Sequence, residues 1–405
     1  MLLPVSSKNL TLLTPHLMSI IEVPVATTKD KAIYFKGLNA FRFIAASLVV
    51  FVHLEDATKN LHAGDFHLLP TGAGGLAVTF FFVLSGFLIT YLLMEEKNVF
   101  HEINVSKFYW RRILRIWPLY YLITFIAFVI LNNSSIFPTI AYPEVYDKAP
   151  SNILLYLALL PNVAWVSGLQ IIYANQLWSV GVEEQFYLCW PLVAKYLQGK
   201  NLLYFMIALV IGYVLLANGI AFSLSHHIIR SSKLIIFSNL LAATRIDCMA
   251  IGGIGAYAFY KHPALVLKLI SFKAIDLLAA LLFIGLITKG YFIPYIGSEL
   301  CAVLFCYIIL SASCKQFSIL QLEGRVWNWL GKLSYGIYMW HMVVLAFITL
   351  ALQKAAFTTP LVINTLLYCF TLPLTIFIAW ISYKYIEKPF LTIKQNFVLV
   401  KSRAS

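Results

Sequence analysis

The sequence predicts an all-α polytopic membrane protein, a bundle of about ten transmembrane helices with no fused soluble domain. Of its 405 residues, 61% are hydrophobic and 12% are charged, whereas soluble domains are about 45–50% apolar and about 25% charged. No soluble packing scheme buries this much apolar surface, so lipid must solvate most of it. Many segments also contain the run of about 20 apolar residues that a spanning helix needs.

The predicted helices follow the apolar runs in chain order, and short connections with Gly, Pro or Asn at their edges join them. The exception is residues 133–176, where the apolar piece Ile153–Leu160 is too short to span and suits a re-entrant or interfacial turn. The predicted helices lie near residues 38–56, 75–94, 118–132, 177–196, 202–222, 239–260, 274–290, 292–313, 333–352 and 361–383.

The distribution of Lys and Arg predicts the orientation, because cytoplasmic loops of membrane proteins are enriched in both. With a cytoplasmic N-terminus, 23 of the 30 Lys and Arg residues fall in inside segments and six in outside segments, while Arg245 lies within a helix. We therefore expect cytoplasmic tails at residues 1–35 and 393–405, without a signal peptide. The Lys and Arg residues that give the net charge of +13 flank hydrophobic segments. This placement favours membrane lipids over nucleic acid as partners.

Ionisable side chains within membrane helices are costly and usually face a polar interior, which singles out Arg42 and His53. Eleven helical steps of about 100° separate them, so both lie on one face, about 16 Å apart along the axis. Histidine accepts a proton near neutral pH, so His53 is a candidate catalytic base. A snorkelling arginine and a histidine that only forms a hydrogen bond explain this helix equally well.

Arg112 and Arg115 are three residues apart and share a helical face at the predicted cytoplasmic surface. Such a pair suits multidentate phosphate binding. Composition alone favours the alternative, which is ordinary cytoplasmic anchoring beside aromatic residues. The six cysteines show neither CxxC nor metal-ligand spacing, so we expect them to pack as small apolar residues and predict no metal site.

The predicted fourth helix contains a carboxylate on a polar face. Ser179, Glu183 and Tyr187 are spaced by four residues and align on one side, directly after Trp178. Glu183 could orient a histidine or bind sugar hydroxyls, and a purely structural hydrogen-bonding role is equally plausible.

Three further ionisable residues lie in predicted helices. Arg245 and Asp247 are two residues apart and do not face each other, so each needs a partner elsewhere in the bundle. His341 shares a face with Tyr338 and is a second candidate catalytic histidine, although a packing role is the commoner outcome.

Six motifs, in this order, resemble those of the membrane-bound acyltransferase family 3 across residues 36–392. They are Leu38–Ala46 with His53, Phe80–Ile89, Arg112–Arg115, Trp178–Tyr187, Leu333–His341 and Tyr385–Phe390. Two positions depart from the family pattern, because Asn39 stands where aspartate is usual and Gly181 where serine or alanine is more usual. The hydrolase-like soluble domain fused to some relatives is not expected in a chain that ends at Ser405.

The resemblance implies an O-acyltransferase of the bacterial cytoplasmic membrane. Its donor substrate would be acyl-CoA, usually acetyl-CoA, and its acceptor a hydroxyl of a carbohydrate or lipid-linked saccharide of the cell envelope. The resemblance favours acyl-CoA binding by Arg42, Arg112 and Arg115. It also favours His53 as the base or transient acyl carrier, with Glu183 helping to align it.

A polytopic transporter of an acyl donor or saccharide is the alternative, because charged residues within helices also mark transport paths. Against it, the sequence shows no inverted repeat and no matching pair of Gly/Pro-broken helices. A sensor or scaffold protein is a third possibility, but it would not need the cytoplasmic arginine pair. Acceptor selection could involve the predicted outer loops, although ordinary loop roles are commoner for their polar residues His62, His67, Tyr142, Asp147, His226 and His227.

Overall fold

A computed structural model describes most of the chain. The described residues are 33–61, 63–64, 68–70, 72–131, 149–228, 231–289, 296–314, 322–355, 357 and 359–400. Within them the secondary structure is helical, as the sequence predicts. The α-helices are α1 Leu38–Asn60, α2 Ala73–Phe100, α3 Val105–Ile126, α4 Ala149–Leu157, α5 Pro161–Val166, α6 Leu177–Tyr196, α7 Lys200–Ser225, α8 Ser232–Thr244, α9 Ile246–Lys261, α10 Pro263–Ile270, α11 Lys273–Lys289, α12 Gly297–Ser313, α13 Arg325–Lys354, α14 Pro360–Ser382 and α15 Lys388–Lys394.

The helices confirm a polytopic membrane architecture, while the predicted count of about ten spans is not confirmed. Among the described residues, seven spans are long and apolar enough to cross a membrane. An eighth is added if Pro263–Ile270 and Lys273–Leu286, which meet at 71°, form one broken span. Two further predicted spans fall outside that set: helix α6, and α12, which has only 17 residues.

The helix predicted near residues 239–260 falls within one candidate span, Ser232–Lys261, but its backbone breaks at Arg245. This residue has φ +40° and separates α8 from α9. A non-glycine residue rarely adopts this left-handed conformation, so periodicity alone could not predict the break. The Arg245 side chain compensates by donating hydrogen bonds to the Ala242 carbonyl at 3.0 Å and to Thr79 Oγ1 at 2.7 Å.

Helices α2 and α9 pack in direct backbone contact. A Cβ on Gly86 would overlap the Met249 carbonyl, and one on Gly252 would overlap the Val83 carbonyl. The absence of a side chain at both positions lets the two backbones approach, as small residues do in membrane helix pairs. This contact holds α2 in the centre of the bundle, where it forms one wall of the candidate site.

The segment before α6 is folded as two short helices, α4 and α5, of nine and six residues. Both are too short to span a membrane, which agrees with the prediction for Ile153–Leu160. A Cβ on Gly181 would lie 2.6 Å from Pro161 Cδ. Glycine at position 181, where the family more usually has serine or alanine, therefore allows α5 to pack against α6.

Asn39, the other position that departs from the family pattern, forms a hydrogen bond with a residue of α13. Its Nδ2 donates to Asn328 Oδ1 at 2.9 Å. The Tyr34 hydroxyl lies 3.2 Å from the same Asn328 Oδ1 and 3.0 Å from Glu323 Oε2 and can donate its one hydrogen to either. The amide at position 39 thus joins the start of α1 to α13.

Candidate active site

A cavity of about 1510 Å³, including its open mouth, lies between α1, α2, α3, α6, α13 and the residues that follow α15. Five basic side chains line it, from positions far apart in the sequence, together with two acidic ones and many apolar ones. The basic residues are Arg42, Arg111, Arg112, Arg115 and Lys394, and the acidic residues are Glu96 and Glu183. The three arginines predicted to bind the donor therefore meet in one cavity.

Arg112 is held by two aromatic rings. Its guanidinium carbon lies 5.3 Å from the Tyr187 ring centroid and 5.5 Å from that of Phe108, within the range of cation–π attraction. Within the described part of the chain its buried Nε has no hydrogen-bond partner. The two rings therefore stabilise the charge of the Arg112 guanidinium, which is part of the cavity lining.

Arg111 has a different role from its neighbours. Its Nη2 lies 2.8 Å from Glu96 Oε2, forming an ion pair, and its Nη1 donates to the Phe397 carbonyl at 3.0 Å. Glu96 Oε1 in turn accepts from the Asn104 backbone N–H at 2.8 Å. Arg111 therefore joins α2, α3 and the segment after α15.

Glu183 lies with the arginines. It accepts a hydrogen bond of 2.5 Å from the Tyr187 hydroxyl, and its charge interacts with those of Arg112 and Arg42. Ser179, Glu183 and Tyr187 all line the cavity, as their spacing predicts. These contacts place Glu183 at the arginine-rich part of the site and leave its alignment of His53 as a prediction.

His53 packs against His341, with 5.1 Å between the ring centroids. The Nδ1 atom of His53 lies 3.0 Å from the Val49 carbonyl, and that of His341 lies 2.6 Å from the Tyr338 carbonyl. Because a carbonyl only accepts, each Nδ1 carries the hydrogen, and in the neutral rings each Nε2 is a proton acceptor. His341 is buried, and its Nε2 has no partner among the described residues.

Tyr338 connects the cavity to the histidine pair. Its side chain lines the cavity, and its ring centroid is 5.8 Å from that of His341. Its hydroxyl lies 2.6 Å from Ser179 Oγ and donates to the Gln176 carbonyl at 3.0 Å. His53 and His341 are not among the residues that line the cavity, and Tyr338 lies between the cavity and His341.

The remaining candidates, Trp178, Arg245 and Asp247, do not line the cavity themselves, although Trp178 contacts Phe82, which does. Trp178 stacks on Trp165, with centroids 4.9 Å apart. Arg245 binds the start of α2 through Thr79, and Asp247 is buried near Glu299. These residues connect helices in the structure, and a catalytic role for them stays a prediction.

The loop candidates are only partly described. His226 and His227 are exposed at the end of α7, while His62, His67, Tyr142 and Asp147 lie outside the described residues. No group of three or more His, Cys, Asp or Glu suited to a metal ion occurs within the described ranges.

Sequence reasoning missed the contributions of Tyr338 and Lys394 to the cavity. Tyr338 could have been inferred, because it shares a face with His341 and follows Ser334 at a spacing of four residues. Lys394 carries no such signal, since it lies within the predicted C-terminal tail. Only helix packing brings it near Arg42.

Comparison with known proteins identifies the family. Residues 35–384 match the family model for an acyltransferase domain, so the chain belongs to this family of acyltransferases. The O-acetyltransferase OatA of Staphylococcus aureus (strain NCTC 8325 / PS 47) is 26% identical over 382 residues, covering 88% of this chain and 57% of that protein. A putative O-acetyltransferase, SACOL0978 of Staphylococcus aureus (strain COL), is also 26% identical, covering 90% of this chain and 58% of that protein.

The chain thus spans less than two thirds of the length of these curated relatives. No solved structure matches it.

Proposed function

We propose that this member of the acyltransferase family transfers an acetyl group from acetyl-CoA to a hydroxyl of a carbohydrate-containing acceptor of the cell envelope. The names of its relatives, both O-acetyltransferases, support transfer to oxygen. The single observation that carries the proposal is the group of basic side chains in a cavity with otherwise largely apolar walls. CoA combines several phosphate groups with a long, weakly polar arm, which matches this combination.

In this proposal Arg42, Arg112 and Arg115 bind the phosphates of CoA. Guanidinium groups suit this task because each presents several N–H donors in a plane and stays charged. Glu183 positions Arg42 and Arg112 by its charge. The acetyl thioester then extends along the apolar wall towards Tyr338.

His53 acts as the general base. Its Nε2 takes the proton from the acceptor hydroxyl while that oxygen attacks the thioester carbonyl carbon. The C–S bond then breaks, and the departing CoA sulfur recovers a proton from the His53 imidazolium. Transient transfer of the acetyl group to His53 is the other route with the same products, and both require this imidazole.

The proposal places the protein in a bacterial cytoplasmic membrane, with the cavity mouth towards the cytoplasm, where acetyl-CoA is made. The charge bias of the loops supports this orientation. The acceptor would reach the histidine pair from the opposite side of the bundle.

The test is acetate transfer by the His53→Ala variant. Cells whose only copy is this variant should carry almost no alkali-labile acetate on their envelope polysaccharides, because general base catalysis contributes about 10²–10⁴-fold. His262→Ala, at an exposed position between α9 and α10, is the matched control, and both proteins are quantified in the membrane. Wild-type acetate levels in the His53→Ala cells would overturn the assignment of His53.

An assay on membranes supplied with labelled acetyl-CoA distinguishes an enzyme from a transporter. The enzyme should place label on the polysaccharide only when acetyl-CoA is present. Uptake of the donor or a saccharide without labelled product would favour a transporter instead.

A further inference from the structure

We propose that Lys394 binds a phosphate group of the acyl-CoA donor, and that residues 395–400, docked on α3, hold it in place. This inference rests on the proposed function and extends it to a part of the chain with no other assigned role. It concerns the donor, so it is independent of which acceptor the protein uses.

The first support is the electrostatic setting of Lys394. The side chain lines the cavity, and the charges that act on it are those of Arg115, Arg112, Arg111 and Arg42. Repulsion among like charges in a partly buried site is costly. The ammonium form of Lys394 beside four guanidinium groups is therefore expected where a ligand with several negative charges offsets the repulsion.

The second support is the balance of charge in the cavity. Five basic and two acidic side chains line it, and one of the basic groups, Arg111, is already paired with Glu96. Glu183 is close to Arg112 and Arg42 but carries one charge for two guanidinium groups. The arginines by themselves therefore leave an excess of positive charge in the cavity. A polyphosphate would neutralise that excess and favour the ammonium form of Lys394.

The third support is that the segment after Lys394 is docked on α3. The Phe397 ring stacks on Trp110, with centroids 5.8 Å apart and planes at 22°. The Phe397 carbonyl accepts from Arg111 Nη1 at 3.0 Å. Val398 and Val400 then form part of the cavity wall, so residues 394–400 belong to the site.

The alternative role for Lys394 is cytoplasmic anchoring, which many lysines near membrane helices have. Lys388 on the same helix, α15, provides the comparison, because it is exposed and does not line the cavity. A loss of donor binding that occurs at Lys394 and not at Lys388 distinguishes a ligand contact from a general charge effect.

The experiment measures CoA binding to the full-length protein in lipid nanodiscs by calorimetry. Lys394→Gln should raise the Kd for CoA about tenfold or more, because it removes a charge-assisted hydrogen bond. Lys394→Arg should stay within about threefold of wild type, and Lys388→Gln should not change the Kd. Phe397→Ala keeps every cation, and it should raise the Kd by a smaller factor because the docked segment loosens.

The double variant Arg112→Ala/Arg115→Ala is the reference for lost CoA binding. The thermal transition of each variant checks that it is folded. If wild type binds CoA and this double variant does not, but Lys394→Gln binds like wild type, the role of Lys394 is overturned and the proposed function stands. If wild type itself does not bind CoA, the proposed function fails and this inference fails with it. Equal losses for Lys394→Gln and Lys388→Gln would show a general charge effect and also overturn the proposal. An unchanged Kd for Phe397→Ala would remove the docked segment from it.

Discussion

At the scale of single residues, the two histidines of the site, His53 and His341, differ in solvent exposure. His53 is partly exposed within the bundle, whereas His341 is buried. Both direct Nδ1 at a backbone carbonyl of their own helix, which selects the same tautomer and orients both rings. The packing of His341 on His53 gives this second histidine a way to hold the first in place, or to share its proton.

We predict that His341→Ala lowers kcat for acetate transfer by about tenfold to a hundredfold, because His53 loses the ring that orients it. The KM for acetyl-CoA should stay near the wild-type value, since His341 does not line the cavity. Steady-state kinetics on membranes checks this, with His262→Ala as the control. A rise in KM with unchanged kcat would show instead that His341 affects donor binding.

Residue types and spacing predicted part of the site. Arg42, Arg112, Arg115 and the aligned Ser179 and Glu183 all line the cavity, because positions on one helical face point the same way. Spacing could not say which neighbouring helix that face would meet. The structure places Glu183 in the cavity with the arginines, and its alignment of His53 stays a prediction.

At the scale of helices, the pairing of α2 with α9 depends on the absence of side chains. Lipid chains are as apolar as leucine, so helices in a membrane associate through close packing more than through the hydrophobic effect. Gly86 and Gly252 allow that packing by removing the atoms that would separate the two backbones.

We predict that Gly86→Ala reduces the free energy of unfolding by at least about 1–3 kcal/mol, the usual cost of overpacking. Its Cβ would overlap the Met249 carbonyl, and a backbone atom cannot turn aside as a flexible side chain would. Thermal unfolding of the purified protein in detergent measures the effect.

Gly212→Ala is the matched control for this substitution. Gly212 lies within α7, and a Cβ there would meet nothing within 4 Å, so its thermal transition should not fall. An unaltered thermal unfolding transition for Gly86→Ala would contradict the prediction, because it would mean that α2 and α9 can move apart without loss of stability.

The break between α8 and α9 shows that hydrophobic periodicity does not predict every helix boundary. Apolar residues continue on both sides of Arg245, and no glycine or proline marks a break there. The left-handed conformation at Arg245 is offset by its hydrogen bonds to Ala242 and Thr79. Since Thr79 belongs to α2, the break depends on a tertiary contact.

At the scale of the whole molecule, the orientation in the membrane is a prediction from the Lys and Arg bias. The ends of α7 offer a direct test, because they should lie on opposite sides. Lys200 begins this helix, and the exposed His227 lies just after its end. The loop between α6 and α7 is predicted to be cytoplasmic.

We predict that a cysteine introduced at His227 reacts with a membrane-impermeant maleimide in intact cells. One introduced at Lys200 should react only after the membrane is opened. The substitutions are made in a variant in which the six native cysteines are replaced by serine or alanine and which still transfers acetate. The reverse labelling pattern would place the arginine cavity on the outer side and remove acetyl-CoA as a plausible donor.

By itself, the sequence determined that the chain is a helical membrane protein of this family and which helices carry ionisable residues. These properties are local, because a backbone in lipid must satisfy its own hydrogen bonds within each helix, and composition and periodicity record that requirement. The tertiary structure alone decided that Lys394 and Arg42 line the same cavity, that His341 packs on His53 and that Arg245 interrupts a helix. Each depends on segments distant in the chain packing together, and no local pattern specifies which side chains meet there.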